Sequence, residues 1–303
     1  MTWRWQLARQ LDAMGPMTRG RYLPDPDLAP EPVPGERFLD SGFLCEAIAR
    51  AQPTSQDADP RIGVSRMSRQ YCAALTCVAL VGLANGVGVD LSPGRVSVVF
   101  RDHLPSRIAL RRGYRARHVL RCSDRPTRFP VTGPAVATVE QLREHVWTSL
   151  YARNLAPMFA AAVSLVNVPD RLLWTNAAEW VGVVMDAAIE YLPPALARPV
   201  VTECHALLDA RTLPGLAGNP MRGLVEWFAF DDKEPKQGIQ TRHLCCLAYL
   251  HSDRAGRLCS NCPLLPLPDR AALVRERRGF GMVHPREPAD AAIETGLRPT
   301  SSP

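Results

Sequence analysis

Apolar and polar positions along this chain of 303 residues alternate mainly with the spacing of an α-helix. The apolar stripes predict helices at 3–14, 36–51, 64–84, 139–154, 156–166, 176–191, 195–208 and 219–228. The stretch 64–84 is the most continuously apolar of these, so we expect it to form a buried helix at the centre of the core. The proline-rich stretch 22–34 predicts a loop or an extended strap.

Short β-branched or alternating runs interrupt the helical pattern in the first half of the chain. Residues 96–100 and 107–112 predict a hairpin with its turn at 103–106, and the run 117–122 extends it into a small sheet. Breakers at 126–134 then mark the change from sheet to helix. This order predicts an α+β fold that is mostly helical, with a small antiparallel sheet in the N-terminal half.

The same pattern divides the chain into four segments. Residues 1–62 hold N-terminal helices and the proline-rich loop, 63–236 form a central α+β and helical domain, and 237–284 form a cysteine-rich segment. Residues 285–303 have too little apolar content to pack, so we expect a disordered tail. With 46% hydrophobic residues, the rest can bury a substantial core.

Charge and hydropathy narrow the class of protein. The net charge of +6 comes almost wholly from arginine, because Lys233 and Lys236 are the only lysines among 36 basic residues. These basic residues are spread along the chain without an aromatic-basic module, so nucleic-acid binding is not expected. No run approaches the roughly 20 apolar residues of a membrane span. The longest, 72–84, is better explained as part of a buried helix.

The N-terminus and the cysteine count indicate a reducing compartment. Arg4 and Arg9 are not followed by an apolar stretch or a small-residue cleavage site, so we expect no signal peptide and a cytoplasmic protein. Nine cysteines with irregular spacing are more typical of free thiols plus a metal site than of a disulfide framework.

Four of the nine cysteines fall within 18 residues. Cys245 and Cys246 are adjacent, twelve residues follow, and then Cys259 and Cys262 stand two residues apart. The second spacing lets both thiolates face one centre, and Gly256 helps the connecting loop to turn back. Thiolates bind zinc or iron–sulfur centres, so these four cysteines are the candidate ligands.

The adjacent pair favours a 2Fe-2S cluster over zinc. Each half of a zinc site usually spaces its ligands by two to four residues, whereas neighbouring thiolates diverge and suit a two-iron centre better than one tetrahedral ion. Structural zinc and other thiol chemistry remain alternatives. His243 and His251 flank the pair and could replace a thiolate, as histidines do in Rieske centres.

The arrangement Cys-Cys, a longer gap and Cys-x-x-Cys-Pro near the C-terminus resembles the FhuF family of ferric-siderophore reductases. The gap of twelve residues is longer than is usual in that family, while Arg242 and Tyr249 stand where similar sequences carry the same residue types. Fainter similarity spans about 65–268 and includes the helix start after Ser65. Further landmarks are 142–145, 155–158 and 173–178, where Thr175 replaces a common glycine. Related helical domains occur in siderophore synthetases of the IucA/IucC type.

The resemblance implies a ferric-siderophore reductase that uses a 2Fe-2S cluster to pass one electron to a ferric chelate and release ferrous iron. Reduction weakens the hold of the hard oxygen donors of the siderophore. Because the segment 86–91 lacks the third glycine of a dinucleotide fingerprint, we expect the electron to come from a ferredoxin or an NAD(P)H-linked reductase. Alternatives are a zinc-binding structural or interaction protein and an iron–sulfur electron relay or sensor.

A dense arginine stretch accompanies the predicted hairpin, and Arg111 and Arg112 in it are candidates to bind an anionic ferric chelate. The alternative is a solvated basic face. Trp174 and Asn176 are predicted as a packed ring and a helix N-cap, with a substrate role as the alternative. The remaining cysteines are predicted in the core: Cys45, Cys72, Cys77, Cys122 and Cys204.

Overall fold

The computed structural model describes residues 2–28, 31–52, 59–111, 114, 118–125, 127–229, 238–251, 254 and 256–279. Helices dominate these residues and small sheets lie mostly in the first half, which confirms the α+β prediction. The α-helices are α1 Trp3–Ala13, α2 Ser41–Arg50, α3 Pro60–Ala84, α4 Val139–Trp147, α5 Ala156–Leu165, α6 Asp170–Tyr191, α7 Pro194–Asp209 and α8 Leu267–Gly279.

Helix α3 forms the centre of the molecule. Asp59 caps its start by accepting a hydrogen bond from the amide of Arg61, and Pro60 occupies the first turn, where its missing N–H costs nothing. From Ile62 onward nearly every side chain is buried, against α6, α7 and β5 among others. By length and composition alone α3 could cross a membrane, but 89% of its most apolar window is buried inside the protein.

The strands within the described residues form three small sheets. They are β1 Tyr22–Leu23, β2 Val33–Pro34, β3 Val87–Val89, β4 Val96–Arg101, β5 Leu104–Leu110, β6 Val119–Cys122, β7 Ala135–Val136, β8 Val225–Ala229 and β9 Gly238–Arg242. Their orders are β1-β5-β4-β2, β3-β6-β7 and β8-β9. The predicted β4–β5 hairpin is confirmed, but its turn is Asp102-His103. The proline-rich stretch supplies both edge strands of this sheet.

Two predictions about strands and helices were wrong. The run 117–122 does not extend the hairpin, because β6 pairs with β3, which follows the sharp turn at Gly86 immediately after α3. Residues 219–228 are not a helix. Asn219 forms a turn by donating to the carbonyls of Leu207 and Ala210, and Gly223 has φ +67°, so the chain leaves this turn as the strand β8.

The helical half also departs from its predicted boundaries. Helix α6 begins at Asp170, one and a half turns before the predicted start, so Asn176 lies inside it. Between α4 and α5 the chain widens into a π-helical stretch, Thr148–Leu155. Pro157, which follows, has no N–H to continue the regular ladder, and a wider turn just before it accommodates that loss.

One hydrophobic core joins the N-terminal helices to the central ones. It contains Leu7 of α1 and Leu44 of α2 together with the apolar faces of α3, α6 and α7, and it extends to Val225 of β8. The four clustered cysteines follow the end of β9, and α6 contacts both strands of the β8–β9 hairpin. The predicted tail at 285–303 lies outside the described residues.

Candidate metal centre

The sulfur atoms of the four clustered cysteines lie in contact with one another, and the thiol of Cys245 also hydrogen-bonds to Cys246. The sulfur atoms of Cys245 and Cys262 are 3.7 Å apart, and those of Cys246 and Cys259 are 3.8 Å apart. Cys246 and Cys262 are buried, whereas Cys245 and Cys259 are partly exposed. The site therefore has two sulfurs inside the protein and two nearer its surface.

Local backbone turns produce this arrangement. Leu247 adopts a left-handed conformation with φ +61°, and its amide donates to Sγ of Cys245 at 3.4 Å. A turn in which the amide of Cys262 donates to the carbonyl of Cys259 at 3.0 Å brings the second two cysteines side by side. Gly256 has φ +77°, which glycine adopts without strain, so it turns the connecting loop as expected from the sequence.

The two sulfur separations match those of thiolates bound to a tetrahedral metal. Within the part of the chain that the structure describes, no three His, Cys, Asp or Glu side chains form a ready cage for a single ion. Two thiolates on one tetrahedral metal, each at about 2.3 Å, lie about 3.8 Å from each other. Each observed pair has this separation, and a 2Fe-2S cluster takes two thiolates on each iron.

The two histidines beside the pair are engaged elsewhere. Nε2 of His243 lies 3.0 Å from a carboxylate oxygen of Glu226 on β8. Nε2 of His251 contacts the guanidinium of Arg66 on α3. Each histidine thus has a partner other than the four cysteines.

Hydrogen bonds among the thiols concentrate negative charge on Cys246. The thiols of Cys245 and Cys259 donate to it and lower its pKa, burial opposes this shift, and the guanidinium groups of Arg242 and Arg69 lower the pKa further. The same hydrogen bonds, followed by burial, raise the pKa of Cys245 and Cys259. Cysteines bind metals as thiolates, so metal binding would release the protons of these thiols.

A buried carboxylate anchors the site to α6. Glu179, 1% exposed, accepts from Arg69 at 2.7 and 2.9 Å and from Arg242 at 2.7 Å. Asn261, between the last two cysteines, donates to the same carboxylate at 2.8 Å. Burial opposes ionisation of Glu179, but Arg242 and Arg69 outweigh it and hold its pKa below the ordinary value.

Asn176 extends this network to the cysteine pair, and its predicted role as an N-cap was wrong. Its side-chain oxygen accepts from Arg242 at 2.5 Å, and its amide nitrogen donates to the backbone carbonyl of Ser65 at 3.1 Å and to Oγ of Ser68 at 2.9 Å. The hydroxyl of Ser65 donates to the carbonyl of Cys246 at 2.7 Å. Trp174 is a packed ring, as predicted, set edge-on against Phe159.

Arg69 and Glu179 were missed in the sequence. Ser65 and Arg69 are four residues apart on α3, and Asn176 and Glu179 are three apart on α6, so each pair shares a helix face. Polar residues at such spacing within otherwise apolar helices are a signal that could have identified them. The structure shows that both faces are turned toward the cysteine segment.

The structure does not bring Arg111 to the cysteines. Its guanidinium donates to Glu36 at 2.9 Å and to the carbonyl of Gly94. Arg111 follows the last residue of β5, at the opposite end of the strand from Leu104. Leu104 borders the cavity beside Cys246, and seven residues of strand span about 20 Å. Arg112 lies outside the described residues.

All nine cysteines are free. Cys72, Cys77, Cys122 and Cys204 are buried, as predicted, and burial raises the pKa of Cys77 to about 12. The prediction for Cys45 was wrong, because it is exposed on α2, whose inward face is formed by Leu44, Ala47 and Ile48.

Comparison with known proteins gives a family match over the helical region. The family described as "Ferric iron reductase FhuF-like transporter" matches residues 65–227, more than half of the chain. The match includes Ser65, Arg69, Asn176 and Glu179 and ends before the four cysteines. No curated protein matches.

Solved structures similar to this chain include two aerobactin synthetases from a hypervirulent pathotype of Klebsiella pneumoniae. IucA is 11% identical with a TM-score of 0.44, covering 60% of this chain and 34% of its own. IucC is 14% identical with a TM-score of 0.46, covering 64% of this chain and 37% of its own. The matched part is thus about a third of each synthetase.

Proposed function

The chain belongs to the FhuF-like ferric iron reductase family, and from this premise we propose that it reduces ferric siderophores by one electron through a 2Fe-2S cluster on Cys245, Cys246, Cys259 and Cys262. The observation that carries the proposal is the convergence of four sulfurs, with those of Cys245 and Cys262 3.7 Å apart and those of Cys246 and Cys259 3.8 Å apart. Such a separation suits two thiolates on one tetrahedral metal, and a 2Fe-2S cluster takes two thiolates on each iron.

Such a cluster, when bound, supplies one electron at a time. The protein would hold its ligands with Asn261 fixed to Glu179 on one side and the carbonyl of Cys246 fixed to Ser65 on the other. Arg69 and Arg242 lie where they offset the negative charge of four thiolates, which favours the reduced form.

The uneven exposure of the sulfurs suggests how the electron leaves. Cys245 and Cys259 are partly exposed, so the site lies near enough to the surface for an electron to reach a ferric chelate docked outside. Reduction to ferrous iron weakens its bonds to hard oxygen donors and promotes release. We propose a ferredoxin or an NAD(P)H-linked reductase as the electron donor and a cytoplasmic location, where thiols stay reduced.

The experiment is purification of the full chain without air, followed by metal and sulfide analysis and a visible spectrum. The proposal requires about two irons and two sulfides per chain and a red-brown protein. The chemically reduced protein should be reoxidised by a ferric hydroxamate while a strong ferrous ligand traps the product. Stoichiometric zinc without sulfide would instead establish the structural-zinc alternative, and a cluster that no ferric chelate reoxidises would indicate an electron relay or sensor.

A further inference from the structure

A cavity of about 120 Å³ opens beside the candidate cluster, and Cys246 forms part of its wall. Helix α3 supplies one side, the start of β5 supplies another, and Ala248, His251 and Arg254 line the rest. The other side chains that matter for the argument are Ser65, Arg66, Arg69, Leu104, His251 and Arg254. We call this space the cationic cavity.

Three guanidinium groups and no carboxylate line the cationic cavity within the described residues. Arg69 shares the carboxylate of Glu179 with Arg242, and the charge of both guanidinium groups is further offset by the thiolate of Cys246. Arg66 and Arg254 line the same space. Arg66 is held in place by donating to the carbonyl of Ala51 at 3.0 Å and by its contact with His251.

The size of the cationic cavity limits what can enter. Pockets that enclose a drug-sized ligand have volumes of about 300–1,000 Å³, so 120 Å³ accommodates one small group and not a whole chelate. Guanidinium groups pair with carboxylates through two parallel hydrogen bonds. The fitting ligand group is therefore a carboxylate arm whose parent molecule stays outside.

We propose that the cationic cavity binds a carboxylate arm of a ferric chelate and makes the protein selective for carboxylate-bearing, negatively charged chelates. This inference rests on the proposed function and specifies its substrate class. Because Cys246 lines the same cavity, an arm bound there holds the ferric ion close to a sulfur of the cluster. Rim arginines would also accelerate the approach of anionic chelates at low salt.

A competing role for the same arginines is to neutralise the cluster. In that case removing one of them would change the reduction potential and leave chelate binding as it was. Binding therefore has to be measured apart from electron transfer. Gallium(III) has the charge and oxygen preference of ferric iron but accepts no electron here, so gallium complexes serve as probes.

The test measures binding of anionic gallium citrate and of neutral gallium tris-acetohydroxamate to the cluster-containing full chain by calorimetry. The variants are Arg254→Gln and Arg66→Gln, and the matched control is Arg171→Gln, an exposed arginine at the start of α6 outside the cavity. We expect each cavity variant to weaken gallium citrate about tenfold or more. The neutral complex and the control should be unaffected.

Equal affinity of wild type, Arg254→Gln and Arg66→Gln for gallium citrate would overturn the inference, as would a change confined to the reduction potential. Both cavity variants must keep the visible spectrum and circular dichroism of the wild type, and two separate positions guard against a local folding defect in one. Selective loss of citrate binding in a protein that reduces no ferric chelate would support the cavity and overturn the proposed function. If the protein does reduce ferric chelates but both cavity variants bind gallium citrate as the wild type does, the cavity inference would be overturned and the proposed function would stand.

Discussion

The side-chain oxygen of Asn176 accepts a hydrogen bond from the guanidinium of Arg242 at 2.5 Å. This contact joins the middle of α6 to the last residue of β9, three residues before the first clustered cysteine. Arg242 is 1% exposed, so its charge depends on Asn176 and Glu179. The helices matched by the family thereby position a cysteine segment that the family match does not reach.

Replacing Asn176 with Ala should destabilise the protein and loosen the cysteine segment. It leaves a buried guanidinium N–H without its acceptor and removes the donor to Ser65 and Ser68, a loss of about 1–3 kcal/mol. Denaturant unfolding and the rate of iron loss to a chelator measure the two effects. Asn167→Ala, at an exposed position, is the control and should change neither. Normal iron retention in Asn176→Ala would show that the network does not support the cluster.

Single Ser replacements of Cys245, Cys246, Cys259 or Cys262 should each abolish the cluster, because every sulfur belongs to one of the two pairs. Iron and sulfide analysis of the purified variants measures the loss. The free cysteines provide two controls. Cys45→Ser should leave both cluster and stability unchanged, since Cys45 is exposed, whereas Cys72→Ser should lower stability alone. A variant at Cys45 or Cys72 that lost the cluster would show that the ligand set is wrong.

The clustering of the four cysteines could be predicted from the sequence because it is local: four thiols lie within 18 residues. The network around them could not, because its contacts join distant positions. Ser65 and Cys246 are 181 residues apart, and Arg69 and Glu179 are 110 apart. Only packing of α3 against α6 makes them neighbours.

The missed strand β8 has a different cause. Residues 219–228 carry apolar positions that suit a helix, but Asn219 and Gly223 direct the chain into turns. Pairing with β9 then makes this segment a strand. The hydrophobic pattern did not predict β9, so its pairing with β8 could not be predicted either. The long helix α3 needed no such partner, since its continuous apolar run predicts burial by itself.

Arg111 should contribute little to reduction of anionic chelates. It was a candidate because of the arginine-rich hairpin, but its charge is paired with Glu36 on an exposed surface, where such pairs contribute about 0–1 kcal/mol. Arg111→Ser should therefore leave stability and the reduction rate of a carboxylate-bearing ferric chelate nearly unchanged, measured at low and high salt. If Arg111→Ser slowed the reduction of this chelate only at low salt, the hairpin would again be a candidate docking surface.

Acid should remove the stabilisation that Glu179 provides. Its folded-state pKa lies below the ordinary value, so the carboxylate stabilises the protein above the unfolded-state pKa, and that contribution is lost as pH falls through the folded-state pKa. In metal-free protein, the difference in unfolding free energy between wild type and Glu179→Gln should be constant near neutral pH. It should shrink below about pH 4.5. A difference that did not vary with pH would show that the lost contact is not ionic.

Two matched carboxylates separate support of the fold from tuning of the cluster. Glu179 pairs with Arg69 and Arg242 beside the cysteines, while Glu203 is equally buried and pairs with Arg125 and Arg143 elsewhere. Glu→Gln at either position leaves two guanidinium groups without the carboxylate that they shared, so both variants should lose about 3–5 kcal/mol of stability.

Only Glu179→Gln should alter the reduction potential, and it should raise it. Removing a negative charge near Cys246 leaves Arg69 and Arg242 to stabilise the extra electron of the reduced cluster without opposition. Glu203→Gln should keep the wild-type potential, because no contact links its ion pairs to the cysteine segment within the described residues. The potential is measured by optical redox titration, and stability by denaturant unfolding. If both variants shift the potential equally, the change reports general loosening of the protein, and Glu179 has no electrostatic influence on the cluster.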